Sequence, residues 1–168
     1  MKKLLLLVFA LPLILLGCKV SYSFNGASID YNETKTLEIR DFSNQAPLAP
    51  IKLFPVFNDH IKDVFTRNTK LQLTDTNPDL EIEGEVTRYD LTPLSVKENS
   101  FASQTRLTMA VRMRFRNNKN PQKDKEETIS AYRDFDSNNM LSDVDDTLID
   151  ELTKEIVDQI FNTTMSDW

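Results

Sequence analysis

The feature that most constrains the fold is a strict alternation of apolar and polar residues between positions 106 and 116. The odd positions carry only apolar side chains: Leu107, Met109, Val111, Met113 and Phe115. The even positions carry Arg106, Thr108, Ala110, Arg112, Arg114 and Arg116. Because the side chains of a strand point alternately to its two faces, this pattern predicts a strand with one buried face and one arginine-rich face.

A second alternating segment precedes it and carries the opposite charge. Between Leu80 and Val86 the even positions are mostly apolar, whereas the odd positions are Glu81, Glu83 and Glu85. If the two segments form a hairpin about a loop at Asn99-Ser100, paired residue numbers sum to about 199, or 197 with one step of slip. In either register the row of glutamates faces the row of arginines, so we expect cross-strand ion pairs.

The remaining elements follow from periodicity. Alternation predicts strands at 36–42 and 128–135, and Leu71 with Leu73 indicates a short strand between them. Apolar residues recur at helical spacing from Pro55 to Asn68 and again after Ser142. Ser142 is the expected N-cap of the second helix, with Asp143, Asp145 and Asp146 in its first turn.

Taken together, these elements predict an α+β fold. We expect an antiparallel (mixed) sheet of about four to five strands with two helices packed on one face. The other face of the sheet, with its rows of charge, is then open to solvent or to a partner.

The N-terminus has the parts of a secretory signal: Lys2 and Lys3, an apolar run of about 13 residues, and Gly17 before Cys18. The run is short of the roughly 20 residues that a transmembrane helix needs. Leu15-Leu16-Gly17-Cys18 resembles the lipobox of bacterial lipoproteins, which implies cleavage before Cys18, diacylglycerol on its sulfur and acylation of the new amine. The alternatives are a transmembrane helix or a secreted precursor whose cysteine pairs with another chain, since Cys18 is the only cysteine.

We therefore predict a lipoprotein signal peptide at 1–17, a lipidated tether at 18–35 and a single α+β domain at 36–168. The loss of Lys2 and Lys3 with the signal peptide takes the net charge from −6 to −8, which argues against nucleic acid as a partner. The remaining 151 of 168 residues suffice for a hydrophobic core without disulfides or metal.

Few residues are available for catalysis. The only cysteine is assigned to lipid, and the only histidine, His60, lies in the first predicted helix beside apolar residues. No nucleophile and base pair is recognisable, and metal binding by histidine and cysteine is excluded by their number. The aspartates at 143–146 lack the glycine and the glutamate of a calcium loop, so helix capping explains them better. We predict no enzymatic activity and no cofactor.

The arginine row is the remaining candidate site. Arg106, Arg112, Arg114 and Arg116 could bind a multiply phosphorylated ligand, because guanidinium groups match phosphate geometry. The alternative is that Glu81, Glu83 and Glu85 neutralise the row as a solvated ladder. Since three glutamates leave one of four arginines without a partner, we expect Arg106 or Arg112 to be uncompensated.

Several stretches resemble the lipopolysaccharide-assembly lipoproteins (LptE-like) of Gram-negative outer membranes. These are 21–29, 79–89 followed by Leu91-Thr92-Pro93, 106–108, 130–135 and 160–168. The resemblance implies a sheet with two helices on one side and a role that is not enzymatic. It implies a plug inside a large outer-membrane β-barrel (LptD-like) that assists barrel assembly and contacts lipopolysaccharide (LPS) in transit.

The resemblance also bears on location. Lys19, rather than aspartate, follows Cys18, and resemblance to the sorting rule of enteric bacteria then implies the outer membrane. No acidic run follows Cys18, so we expect the domain to face the periplasm. The family implies no particular ligand-binding residues here, so the arginine row is our own candidate for the LPS contact. The alternative function is an outer-membrane lipoprotein that binds another envelope complex as its activator or pilot.

Overall fold

A computed structural model describes residues 29–94 and 103–165 and confirms the α+β fold. The elements are β1 (Thr36–Ile39), β2 (Ser43–Asn44), α1 (Leu53–Asn68), β3 (Gln72–Leu73), β4 (Leu80–Leu94), β5 (Gln104–Asn117), a 3-10 helix (Pro121–Lys123), β6 (Lys125–Asp136) and α2 (Leu141–Met165). Residues 1–28, including Cys18 and the predicted signal peptide, lie outside the described residues, as does the predicted loop at Asn99-Ser100.

The sheet is mixed, as expected. Its order is β3-β1-β4-β5-β6, and β2 pairs with β4 beside β1. Strands β4, β5 and β6 are antiparallel, whereas β1 runs parallel to both β3 and β4. Parallel neighbours need a crossover connection, and α1 provides it between β1 and the strands that follow.

The β4–β5 hairpin has the predicted register. Glu81 aligns with Arg116, so paired residue numbers sum to 197 up to Val86 and Val111. The register then shifts between Val86 and Arg88, so Thr87 is the extra residue of a bulge. Because of this shift the buried positions of β4 change from even to odd numbers, and Tyr89 joins the core.

Both helices pack on one face of the sheet. Helix α1 buries Leu53, Phe57, Ile61 and Phe65, four residues apart along one stripe. These side chains, the apolar stripe of α2 and the odd-numbered apolar residues of β5 form one buried cluster. The opposite face is left uncovered among the described residues, as the pattern of β5 predicted.

A glycine is needed where the core approaches β4. A Cβ at Gly84 would overlap the ring of Phe42 and the backbone carbonyl oxygen of Arg112. Phe42 is buried and its ring centroid lies 5.0 Å from that of Phe57 on α1. Because Gly84 has no side chain, the Phe42 ring fits against β4 and packs on Phe57, which holds the segment after β1 against α1.

The start of α2 differs from its prediction. The helix begins at Leu141, so Ser142 lies inside it and its hydroxyl donates to Asp143 at 3.2 Å rather than capping the helix. Asp145 is not a surface residue of the first turn but is buried, with 7% of its surface exposed. The prediction that Ser142 is the N-cap is thus wrong, and Asp145 has another role.

Asp145 belongs to a buried polar network. Its carboxylate accepts a hydrogen bond from Tyr89 Oη at 2.6 Å and forms an ion pair with Lys52 Nζ at 2.9 Å. Burial, and then the neighbouring Asp145, raise the pKa of Tyr89. The hydrogen bonds that Lys52 donates to Asp146 and Asp145 raise the pKa of Lys52. The network joins β4, α2 and the loop before α1, so we assign it to the architecture rather than to a site.

Residues 29–35, the part of the predicted tether that the structure describes, pack on the domain. Ile29 is buried, Tyr31 packs against the core, and Lys70 Nζ lies 5.7 Å from the Tyr31 ring centroid. The backbone N–H groups of Lys35 and Thr36 donate to the Asp79 carboxylate at 2.8 and 3.1 Å.

Candidate functional site on the open sheet face

The candidate site is the sheet face opposite the helices, here called the open face. It is formed by outward side chains of β1, β4, β5 and β6. Its charged residues, all exposed or half-buried, are Glu38, Arg40, Glu81, Glu83, Glu85, Arg88, Asp90, Arg106, Arg112, Arg114, Arg116, Glu126 and Asp134. Positively and negatively charged side chains alternate across the strands.

Two of the three expected cross-strand pairs form between β4 and β5. Arg112 Nε donates to Glu85 Oε1 at 2.8 Å, and Arg114 Nη1 donates to Glu83 Oε1 at 3.1 Å. The hydrogen bond that Arg112 donates to Glu85 raises the pKa of Arg112. Arg114 also lies 3.8 Å from Glu126 of β6. The middle of the arginine row is therefore compensated on both sides.

The third pair does not form, although Glu81 and Arg116 are aligned. Glu81 is already engaged, because its carboxylate accepts from Arg40 Nη2 at 3.2 Å and from Asn118 Nδ2 at 2.7 Å. Arg40 follows β1 and also contacts Glu38 and Glu83, at 3.0 and 3.1 Å. The pKa of Arg40 is raised, mainly by the hydrogen bond to Glu38.

The other end of the row is compensated from β6. Arg106 binds Asp134 through two parallel hydrogen bonds, Nε to Oδ1 at 2.7 Å and Nη2 to Oδ2 at 2.9 Å. Its guanidinium also lies over the ring of Tyr132, 3.7 Å from the centroid. The same hydrogen bonds raise the pKa of Arg106 and lower that of Asp134.

The expectation that Arg106 or Arg112 lacks a partner is thus wrong. Among the residues that the structure describes, Arg116 is the member of the row that has no ion-pair partner. The additional carboxylates come from β6, whose alternation places Glu126 and Asp134 on the same side as Ser130. Arg40 is an additional cation on this face, and its position beside Glu81 depends on the strand order.

The chemical consequence is that anion binding is concentrated at one end of the row. Arg116 is exposed, and its guanidinium makes no hydrogen bond or ion pair with another described residue, so its donors are available to a ligand. Arg106, Arg112 and Arg114 can bind phosphate only by sharing or releasing a carboxylate. Among residues 29–94 and 103–165, the open face is therefore a mixed ladder of charge, and Arg116 near the end of β5 is its one cation without an ion-pair partner.

Residues 29–94 and 103–165 give little support for metal binding or catalysis. No cluster of histidine, cysteine, aspartate or glutamate there could hold a metal ion. His60 is half-buried inside α1, and its imidazole makes no hydrogen bond or ion pair within that part of the chain. Neither of the two helices is long and apolar enough to span a membrane.

Three large apolar side chains are strongly exposed near the N-terminal ends of the helices. Leu48 and Ile51 precede α1 and are 70% and 89% exposed, and Met140 precedes α2 and is 73% exposed. Lys52, next to Ile51, contacts Asp145 and Asp146, which brings this loop against the first turns of α2. Sequence reasoning missed this feature, because isolated apolar residues in a loop carry no periodicity.

Comparison with solved structures gives the fold. The chain resembles a hypothetical protein of Chlamydia trachomatis (13% identity, 80% of this chain and 99% of that one, TM-score 0.53). It also resembles an uncharacterized lipoprotein B of Nitrosomonas europaea (14% identity, 90% and 92% coverage, TM-score 0.52). A Xanthomonas campestris protein is similar as well (8% identity, 79% and 84% coverage, TM-score 0.54).

The family is shown by sequence. No curated protein matches this chain closely enough to count as a relative. Residues 34–164, however, match the model of the LptE family, described as lipopolysaccharide-assembly, over more than half of the chain. The matched range contains the whole sheet with its open face, all of α1 and all of α2 except its last residue, Met165. The protein therefore belongs to the LptE family of lipopolysaccharide assembly.

Proposed function

We propose that this LptE-family protein is anchored through Cys18 to the periplasmic side of the outer membrane. There it plugs the large LPS-translocating β-barrel (LptD-like), assists assembly of that barrel and contacts LPS during its insertion at the cell surface. The observation that carries the proposal is the family match over residues 34–164, because the family is one of lipopolysaccharide assembly and is not enzymatic.

The open face supports a location inside a barrel. The interior of a large outer-membrane barrel is polar and wet, whereas its lipid-facing side is apolar. A sheet face whose exposed side chains are mostly charged, and paired within the face, remains compatible with water while it lies close to polar walls. The helices and the hydrophobic core lie on the other side of the sheet, so a partner that covers the open face displaces neither of them.

For LPS, the candidate contacts are Arg106, Arg112, Arg114 and Arg116, of which Arg116 is the leading residue. The phosphates of lipid A and the inner core are multiply charged anions, and a free guanidinium can bind one of them without breaking an existing ion pair. A charge-assisted hydrogen bond that is shielded from water is worth about 1.5 to 3 kcal/mol. The neighbouring Arg114 could add a second contact by releasing Glu126, from which it is 3.8 Å away.

The experiment for the barrel partnership is a pull-down of the tagged lipoprotein from detergent-solubilised outer membrane. We expect one large β-barrel protein in stoichiometric yield. Recovery of a peptidoglycan synthase or a secretin instead would favour the activator or pilot function and contradict our proposal. A tagged, unrelated outer-membrane lipoprotein is the matched control for adhesion to detergent micelles.

The anchor is tested separately. Cys18→Ser should leave an unprocessed precursor that palmitate does not label, because a hydroxyl cannot replace the thiol that accepts diacylglycerol. The tagged domain should resist protease added to intact cells, since we place it on the periplasmic side. Normal processing of the variant, or digestion of the domain in intact cells, would count against this assignment.

A further inference from the structure

Strand β6 forms an unusually long and regular edge of the sheet. It is the last strand in the order, it has 12 residues, and its pairing with β5 is continuous from Lys125 to Asp136. The strands at the opposite edge are short, since β3 has two residues and β1 has four. Proteins usually protect long edges with proline, a bulge, a covering element or charged side chains. β6 contains neither proline nor bulge, and its protection consists of charged side chains near its two ends.

The register shows which backbone groups of β6 point away from the sheet. The Ser137 N–H donates to the carbonyl oxygen of Ser103 at 3.0 Å, which fixes the alternation of this antiparallel ladder. The backbone N–H and C=O groups of odd-numbered β6 residues therefore bond to β5, and those of even-numbered residues point away from the sheet, along its plane. Arg133 Nη1 donates to the carbonyl of Tyr132 at 2.8 Å, which agrees with an outward carbonyl there. The N–H and C=O groups of Glu126, Thr128, Ser130 and Asp134 have no backbone partner in the described ranges.

We propose that the β6 edge binds an extended segment of the barrel protein by strand addition, an inference that rests on the proposed function. Outward N–H and C=O groups at every second residue supply the hydrogen bonds by which an added strand is held. The wall strands of a closed barrel are already hydrogen-bonded on both sides, so they cannot pair with β6. The occupant is therefore a loop or terminal segment of the barrel that extends into the lumen.

The charges along the edge disfavour a second copy of this chain. The even-numbered residues of β6 have their side chains on the open face. Those near the two ends of the strand are acidic, with the Glu126 side chain 57% and the Asp134 side chain 29% exposed, and those between them carry hydroxyls. If a second copy of β6 paired antiparallel with the first and the two Ser130 residues lay opposite each other, Glu126 of each copy would lie opposite Asp134 of the other. Like charges that are directly opposite destabilise a sheet. Because Arg106 and Arg114 lie against these two carboxylates, the edge fits a segment that has no acidic residue opposite Glu126 or Asp134 and small polar residues between.

The test compares Ser130→Pro with Ser130→Ala in the tagged, full-length lipoprotein. Proline removes the outward N–H at the centre of the edge and leaves the ladder with β5 intact, so the variant should keep the circular dichroism of the wild type. We expect at least tenfold less barrel to copurify with Ser130→Pro, and an unchanged amount with Ser130→Ala. In the wild-type complex, amides of the peptide 125–136 should exchange at least tenfold more slowly than in the free protein, a measurement that needs no variant.

The outcomes separate the two proposals. Full recovery of the barrel with a folded Ser130→Pro variant, or exchange at 125–136 that does not change in the complex, would overturn strand addition and leave the barrel partnership intact. A wild-type pull-down without any barrel would overturn both. A wild-type dimer that the proline variant dissociates would show that the edge binds a second copy, and would overturn the assignment to the barrel.

Discussion

Asp79 connects three segments at one end of the sheet, and its ionisation should be visible in the stability of the protein. Its carboxylate accepts the N–H groups of Lys35 and Thr36 and contacts Lys119 Nζ at 3.1 Å. Its own N–H donates to Thr36 Oγ1 at 2.9 Å. The side chain is 16% exposed, so solvent screens these contacts only in part.

The magnitude follows from the pKa. The hydrogen bond from the Lys35 N–H, with further contributions from Lys119 and Thr36, lowers the pKa of Asp79 from 3.8 to about 2. At 1.36 kcal/mol per unit, the charged form adds about 2 kcal/mol to the free energy of unfolding at neutral pH. Because the folded pKa is the lower one, this stabilisation is fully present above pH 3.8 and is lost as the pH falls through about 2.

The perturbation is Asp79→Asn, which resembles the protonated acid in size but has no charge to lose. Urea unfolding followed by circular dichroism should show the variant about 2 kcal/mol less stable at pH 7, and less than about 1 kcal/mol less stable at pH 2.5. Asp59→Asn, which removes the same charge from the exposed side of α1, is the control and should change stability little at either pH. A difference between wild type and Asp79→Asn that is the same at both values of pH would refute this reasoning.

Three further changes test the architecture. Gly84→Ala should cost about 1 to 3 kcal/mol in urea unfolding, because the new methyl group overlaps Phe42 and a backbone oxygen; wild-type stability would contradict the contact. Leu152→Asp should cost at least about 3 kcal/mol and lower steady-state abundance, because it places an unpaired charge between α2 and the sheet; unchanged abundance would mean that this stripe is not buried. Tyr89→Phe should cost about 1 to 2 kcal/mol in the same assay by removing the donor to buried Asp145, and no loss would indicate that water replaces it.

The hairpin could be predicted because its information is local. Alternation between 106 and 116 fixes which residues are buried, and two complementary rows of charge limit the register to a few choices. The sequence gives only a weak signal of the bulge at Thr87. One extra residue moves the buried positions from even to odd numbers without interrupting the apolar pattern. Strands of two residues, such as β2 and β3, carry no period at all and form only because the neighbouring strand is in place.

The candidate site could be predicted only in part, for a different reason. Its residue types and their common face follow from the pattern of β5, but the choice of partners depends on which strand lies beside which. Arg40 reaches Glu81 only because β1 runs parallel to β4, and this contact is what leaves Arg116 without its aligned glutamate. Likewise, the link from Lys52 to Asp145 joins positions far apart in the chain, for which the sequence pattern carries no signal.

The most direct test of the account is the affinity of the purified lipoprotein for LPS at physiological salt, measured for Arg116→Ala against the wild type and against Arg106→Ala. Arg116 should contribute about 1.5 to 3 kcal/mol, so we expect its alanine variant to bind LPS about ten to a hundred times more weakly while it stays folded and still copurifies with the barrel. Arg106→Ala should weaken binding less, because Asp134 already holds that guanidinium. If Arg116→Ala binds LPS as tightly as the wild type, the open face is a ladder of paired charges or a surface facing the barrel, and the LPS contact lies elsewhere.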